Sequence, residues 1–275
     1  MQRTDNELSD RAFQTVCELF QRHSGIRMPE QKRSHVNARL ARLATEQGLP
    51  SAEAYVNRLV LKPDADEIAR AVDRLTINET YFFREPAHFA WLAQTVDQRP
   101  RGQPLRIWSA ASSTGEEAYS IAMVLADRLG IDGDWKVFGS DLSSEVVATA
   151  RRGLYLIDRI DGIPQAYLRD YCLRGDGPQQ GNLLIARALR ARLGFAQANL
   201  AQALPTAVTD AGLFDVIFLR NVLIYFDAPM RRAVVERVIG QLQPGGVLVI
   251  GHAESLQGLD LPLQTLRPSL FRRTP

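Results

Sequence analysis

Acidic, amide and guanidinium side chains recur in one kind of place along this 275-residue chain: directly after short apolar runs. Leu105–Ala111 is followed by Ser112-Ser113-Thr114-Gly115-Glu116-Glu117, and Trp135–Ser140 by Asp141. Leu193–Ala198 is followed by Asn199-Leu200, and Phe214–Leu219 by Arg220-Asn221. If these runs are strands of an open parallel sheet, the residues after them share the carboxyl ends where such sheets bind ligands. Asp141 stands 26 residues beyond Gly115. A carboxylate ending a second strand is the usual partner of ribose hydroxyls, because it accepts two hydrogen bonds at fixed geometry. The pattern suggests an adenosine-containing cofactor.

The loop after the first run narrows the choice. A dinucleotide loop uses several glycines so that backbone N–H groups face a pyrophosphate. Here there is one, Gly115, and two acids, Glu116 and Glu117, stand where a phosphate would sit. Carboxylates beside a diphosphate repel it, which disfavours a nicotinamide dehydrogenase. S-adenosylmethionine, with a sulfonium, an ammonium and no phosphate, suits the loop better. The competing reading is that both acids only complement a helix dipole. Upstream, Thr76-Ile77-Asn78-Glu79-Thr80-Tyr81-Phe82-Phe83-Arg84-Glu85 sets three aromatics and an arginine among small hydrogen-bonding side chains. Such a segment can fold over an adenine or a methyl donor, or serve as inter-domain core, and the pattern admits both. No metal site is expected. His23, His35, His88 and His252 form no ligand spacing, and Cys17 and Cys172 stand far apart, as reduced thiols of a cytoplasmic protein do.

Two kinds of element must position these groups. Residues 8–75 carry helical periodicity. Phe13, Val16, Cys17 and Phe20 recur at steps of three and four behind a Ser9 or Asp10 cap, and His23-Ser24-Gly25 ends the run. Over Gln31–Glu46, Val36, Leu40 and Leu43 make one stripe, while Lys32, His35, Arg39 and Arg42 make another. Ala52–Leu61 and Asp64–Leu75 complete a small helical domain. Beyond Pro100-Arg101-Gly102-Gln103-Pro104 the period changes. Apolar strands alternate with helices at Glu116–Leu129, Ser143–Arg152 and Pro229–Leu242, and Pro244-Gly245-Gly246 introduces a last strand, Gly246–Gly251. Undecorated strands alternating with helices signal a mostly parallel sheet covered on both faces. Turn residues at Gly175-Asp176-Gly177-Pro178 and Gly181-Asn182 interrupt the pattern, and Leu183–Leu193 reads as part of a small antiparallel appendage.

Composition excludes other classes. The chain is 45% hydrophobic and 23% charged, which is neither collagenous nor disordered. Apolar runs such as Val247–Ile250 are too short for a membrane span, and the polar start Met1–Glu7 does not read as a signal peptide. A net charge of +2 does not imply nucleic acid. Between Arg22 and Arg42, however, six Lys/Arg face one acid, Glu30. Lys32, Arg39 and Arg42 therefore form either a solvated face or a docking face for an acidic partner.

Several long motifs together resemble the bacterial chemotaxis receptor methyltransferases, the CheR family. They are Thr76–Arg84 with Phe82-Phe83-Arg84, Trp108–Met123, Ser140-Asp141, Phe218–Phe226 and Gly251-His252-Ala253-Glu254-Ser255. The likeness spans nearly the whole chain in order. Ala118 stands where proline is common and Ala253 where serine is common, and neither removes a group the chemistry needs. The resemblance implies an α/β fold: a helical N-terminal domain (1–75), a linker contributing to the cofactor site (76–90), and a Rossmann-like S-adenosylmethionine-dependent methyltransferase domain (91–275). A small antiparallel β insertion is expected near 173–194. It further implies methyl transfer to glutamate side chains of membrane chemoreceptors by a cytoplasmic enzyme recruited to receptor arrays, with S-adenosylhomocysteine as product. Asn78, Thr80, Arg84, Glu117, Asp141, Asn199, Leu200, Arg220 and Asn221 would hold the donor. Arg84 and Tyr225 would stand near the reacting methyl. Lys32, Arg39 and Arg42 would face acidic receptor helices, and the insertion would take a C-terminal receptor peptide in some members.

Overall fold

The computed structural model describes residues 7–100 and 102–275, so Met1–Asn6, on which most of the leader reading rests, and Arg101 lie outside the described residues. The chain divides into two compact units, residues 1–77 with 225–231, and residues 78–224 with 232–275. Among the described residues, no helix is long and apolar enough to cross a membrane.

The first unit is built on four helices: α1 (Asp10–Ser24), α2 (Arg33–Glu46), α3 (Ala52–Leu61) and α4 (Ala65–Leu75). The starts of α1, α3 and α4 follow from local chemistry. The Ser9 and Ser51 hydroxyls accept from the third N–H of their helices, and the Asp64 carboxylate accepts from Asp66 N–H. Gly25 ends α1 at φ 75°, a left-handed turn that glycine adopts without strain. Phe13, Phe20, Leu40, Leu43, Tyr55 and Leu75 meet in its core. The basic stripe that runs from Lys32 into α2 is divided. Lys32, His35 and Arg42 are exposed, whereas Arg39 reaches back to donate to the Arg74 and Thr76 carbonyls at the end of α4.

The second unit begins with α5 (Pro86–Asp97) and then alternates β1 (Leu105–Ala110), α6 (Glu116–Leu129), β2 (Trp135–Asp141) and α7 (Ser144–Arg152). After the insertion come β6 (Leu193–Gln197), α10 (Thr206–Thr209), β7 (Phe214–Leu219), α11 (Ala228–Ile239) and β8 (Leu242–Ile250). The strands β9 (Leu263–Arg267) and β10 (Leu270–Arg273) close the chain. The seven-stranded sheet runs β6-β2-β1-β7-β8-β10-β9, parallel from β6 to β8 and antiparallel at β10 and β9. Strand order therefore reverses between β1 and β7. The central strands are apolar because both faces are covered. The apolar residues of α6 from Ala118 to Ala126 are all buried, so this helix lacks the polar face of a surface helix.

Two local features depart from the sequence expectation. The last parallel strand starts at Leu242, so Pro244-Gly245-Gly246 lies within β8 rather than before it. The register shift between Phe214 and Val216 absorbs the irregular backbone. The insertion is a three-stranded antiparallel sheet in the order β3-β5-β4. It uses β3 (Leu154–Leu156), β4 (Cys172–Arg174) and β5 (Asn182–Ile185), with α8 (Gln165–Tyr171) inside it and α9 (Arg187–Arg190) after it. It thus reaches back to Leu154, ahead of the turn signals near 173. A three-residue strand is too short to show alternation.

Gly115 is required by packing. At φ 98° a Cβ would lie 2.8 Å from Ala150 Cβ and 3.0 Å from the Tyr155 hydroxyl, so the bare backbone makes room for α7 and Tyr155. A Gly115→Ala variant is expected to lose about 2–3 kcal/mol, from left-handed strain plus overpacking. Urea unfolding monitored by tryptophan fluorescence measures it.

Candidate functional site at the carboxyl ends of the parallel strands

The residues that sequence placed after β1, β2 and β7 come together at the point where strand order reverses. The backbone there is unusual. Among the described residues, six non-glycine residues have positive φ, and five of them lie in these loops or in the segment before α5: Phe83, Glu85, Ala111, Ser113 and Asn221. Left-handed backbone is uncommon outside glycine and concentrates where surrounding structure holds a functional geometry in place.

Asp141, buried at the end of β2, accepts from Ser113 N–H through Oδ2 (2.8 Å) and from Ser143 N–H through Oδ1 (3.0 Å). The carboxylate thereby joins the β1 loop to the start of α7. The Ser113 hydroxyl donates to the Asn78 carbonyl (3.2 Å), bringing the segment before α5 to the same loop.

Arg220, almost fully buried at the end of β7, is the electrostatic centre. Its Nη1 lies 2.9 Å from Glu117 Oε2 and its Nη2 lies 3.0 Å from Glu85 Oε2, and Nη2 also donates to the Arg84 carbonyl at 2.5 Å. The guanidinium sits 5.7 Å from the centre of the Phe89 ring. Ser109 donates to the other Glu117 oxygen at 2.7 Å. The two acids sharing Arg220 differ. Burial raises the Glu117 carboxyl above its ordinary range, and Arg220 and Ser109 only partly offset this. Burial also pushes Glu85 up, but Arg220, Asn221 and the His252 N–H outweigh it and hold Glu85 below the usual range. Glu85 has the larger set of donors, so it is the stronger acid.

The sequence motif contained Glu254 without giving it a role. Its carboxylate accepts from the backbone N–H of Asn221 (2.9 Å), Leu223 (2.7 Å) and Gly251 (2.7 Å). It therefore fixes the loop after β7 to the end of β8. A Cβ on Gly251 would approach Asn221 Nδ2 at 2.7 Å and Glu254 Oε2 at 2.9 Å, which is why this position lacks one.

The remaining candidates are less concentrated. Phe82 is fully buried edge-on to Tyr155, and Phe83 packs on Phe89 and Tyr167, so two of the three consecutive aromatics are core. Tyr81 is half exposed, with the Arg84 guanidinium 5.6 Å from its ring centre and Arg84 Nη1 donating to the Glu79 carbonyl. The Asn199 side chain accepts from Ala201 N–H, and Leu200 is buried. Thr80 is partly buried. Tyr225 belongs to the helical unit, where its carbonyl accepts from Arg27 N–H, as do Lys32, Arg39 and Arg42. Glu116 is buried at the start of α6 with Thr114 donating to one oxygen, and burial raises its carboxyl, so it is more than a surface complement to the helix dipole.

Folding also assembles Glu85, His88 and His252, whose ligand-type atoms lie within 4.8 Å of one another, from positions with no ligand spacing in sequence. The oxygen facing both imidazoles, Glu85 Oε2, already receives Arg220, which competes with any cation there. Burial and Arg220 lower His88 to about 4, so it is neutral at pH 7. Removing the acceptor that holds the β7 loop tests the frame. Glu254→Ala is expected to lose about 2–4 kcal/mol, because amide donors to a charged acceptor lose their partner. Glu254→Gln, keeping one acceptor oxygen, is expected to lose less, with both read by chemical denaturation.

Comparison with known proteins agrees with this construction. Residues 11–76 match the family model described as CheR methyltransferase, all-alpha domain, and residues 78–269 match CheR methyltransferase, SAM binding domain. The chain is 40% identical to the chemotaxis protein methyltransferase of Escherichia coli K12, over 92% of this chain and 87% of the relative. It is 39% identical to the Salmonella typhimurium LT2 protein of the same name, over 92% and 86%. It is also 40% identical to chemotaxis protein methyltransferase 2 of Pseudomonas aeruginosa PAO1, over 88% and 86%. With both domains matched in order and most of each relative covered, the chain belongs to the CheR methyltransferase family.

Proposed function

We propose that this chain transfers a methyl group from S-adenosylmethionine to glutamate side chains of membrane chemoreceptors, giving methyl esters. The observation that carries the reading is the acid-rich rim at the sheet's reversal point. There one buried guanidinium, Arg220, is shared by Glu85 and Glu117, and Asp141 closes the next loop. Such a rim repels a diphosphate and suits a nucleoside bearing a sulfonium and an ammonium. That fit agrees with the match to a SAM binding domain.

Bound at this rim, the donor supplies an electrophilic methyl on sulfur. The chain's own residues have binding and orienting work to do. Asp141 would accept from ribose hydroxyls, while Glu117 would offer negative charge to the cationic part of the donor. Asn78, Thr80, Asn199 and Leu200 would help hold the donor, as the family resemblance implies, and Asn221 completes the loop that Arg220 anchors. Arg84 orients the donor or one oxygen of the acceptor. A bidentate grip on the acceptor carboxylate would stabilise the ground state more than the transition state and slow transfer. For Tyr225 the assignment of a hydrogen bond near the methyl comes from the family resemblance alone. No general base is needed, since a glutamate with a reference pKa of about 4.3 is already the carboxylate nucleophile at neutral pH. Positioning and exclusion of water then carry the rate.

The acceptor would be recognised in part by charge. Lys32, just before α2, and Arg42, on α2, are exposed and are proposed to meet acidic receptor helices, whereas Arg39 contributes by fixing the end of α4. Charge reversal at Lys32 and Arg42 is expected to raise the KM for receptor and flatten its salt dependence, with kcat little changed. Unchanged receptor kinetics would end the docking assignment.

The decisive experiment incubates the protein with methyl-labelled S-adenosylmethionine and bacterial membranes containing chemoreceptors. Label in the receptor bands, released by mild base as esters are, is the expected result, and base-stable label or none overturns it. Asp141→Asn is expected to weaken S-adenosylhomocysteine binding about tenfold or more, since a charged acceptor becomes a neutral one. Affinity is also expected to fall as pH drops from neutral toward the ordinary carboxylate range. Because the Glu117 carboxyl is raised, it takes up a proton early in that descent, and its charge is then lost to the ligand. Glu117→Gln should bind more weakly at neutral pH and show a flatter profile, as calorimetry across pH would report.

A further inference from the structure

We infer that Glu85 is a positioning residue for the methyl donor, acting through Arg220 on Glu117; this rests on the donor-binding reading above. Glu85 precedes Pro86 at the start of α5, at φ 59°, in backbone that a glutamate adopts only under constraint. It occupies the cap position yet makes no side-chain hydrogen bond to its own helix. Its carboxylate turns instead to the ends of two other strands. Oε2 receives Arg220 Nη2 (3.0 Å) and the His252 N–H (3.3 Å), and Oε1 receives Asn221 Nδ2 (3.3 Å). His88 Nδ1 lies 3.4 Å from Oε2, and the His88 ring stands edge-on to His252 at 4.8 Å. One side chain thus joins the segment before α5 to the loops after β7 and β8.

The electrostatic consequence is specific. Arg220 carries one positive charge and serves two carboxylates. With Glu85 present, the guanidinium is divided, and Glu117 keeps net negative character toward a cationic ligand. With Glu85 neutralised, Arg220 pairs with Glu117 alone and cancels it. The groups facing Glu85 leave no substitute for this sharing: Asn221 is an amide, and the nearby imidazoles offer no fixed negative charge. Glu85 therefore sets how much of Glu117's charge reaches the donor, without touching the donor itself.

The test is calorimetric binding of S-adenosylhomocysteine, with thermal melting as a control, in wild type, Glu85→Gln, Glu117→Gln and the double variant. Glu85→Gln is expected to weaken binding about tenfold, and in the Glu117→Gln background by less than about twofold, because residues acting through a shared partner are non-additive. Glu85→Asp, which keeps the charge, is expected to bind within about threefold of wild type, a difference of ~0.65 kcal/mol. Wild-type affinity in Glu85→Gln overturns the inference. So does an equal loss in both backgrounds, or a loss in Glu85→Asp as large as in Glu85→Gln. If wild type itself fails to bind S-adenosylhomocysteine, the donor reading falls instead.

Discussion

A single buried positive charge organises the site. Arg220 is carried out of the sheet core on the end of β7, where desolvating a guanidinium costs several kcal/mol unless it is paired. The protein answers with two carboxylates from different parts of the chain, Glu85 before α5 and Glu117 in the first turn of α6, and with the Arg84 carbonyl. The arrangement fixes the relative positions of three segments. It also leaves more negative than positive charge at the mouth of the sheet, the condition a cationic nucleoside needs and a diphosphate does not tolerate.

The loops bearing these groups are held in conformations they would not adopt alone. Ala111, Ser113, Asn221, Phe83 and Glu85 all have left-handed backbone. Partners distant in sequence tie this backbone down: Asp141 holds Ser113, Glu254 holds Asn221, and the Ser120 hydroxyl on α6 holds Phe83 N–H. The scaffold that bears these contacts is the buried helix α6 and the apolar strands it packs on. Strain at the rim is thus supported by a rigid interior, so the site is organised before any ligand arrives. That suits the proposed methyl transfer, for which orientation rather than proton transfer would carry the rate.

The helical unit obeys different rules. Three of its helices are begun by Ser9, Ser51 and Asp64, Gly25 ends α1, and its apolar stripes are buried. The basic stripe of α2 shows how a pattern can mix two tasks. Arg39 shares the spacing of Lys32 and Arg42, yet its guanidinium is committed to two main-chain carbonyls, and only its neighbours present charge to solvent.

The sequence by itself determined the period change from helices to alternating strands and helices, the placement of Asp141, Glu117, Arg220 and Asn221 at strand or helix ends, and the family. These are local or motif-level facts: strand runs are apolar because both faces are covered, and the residues that come directly after such strands must lie at the ligand edge. Tertiary structure decided what Glu85, His88, His252 and Glu254, which lay in the linker or a motif without a role of their own, do at the site. It also decided that Phe82 and Phe83 are core, that Gly115 serves packing, and that Arg39 is a tie. None of these leaves a periodic signal, because each depends on where residues up to 167 positions apart in the chain are brought together. Hydrophobic spacing records which face of an element is buried, but the partner of a buried charge is chosen by the fold in three dimensions.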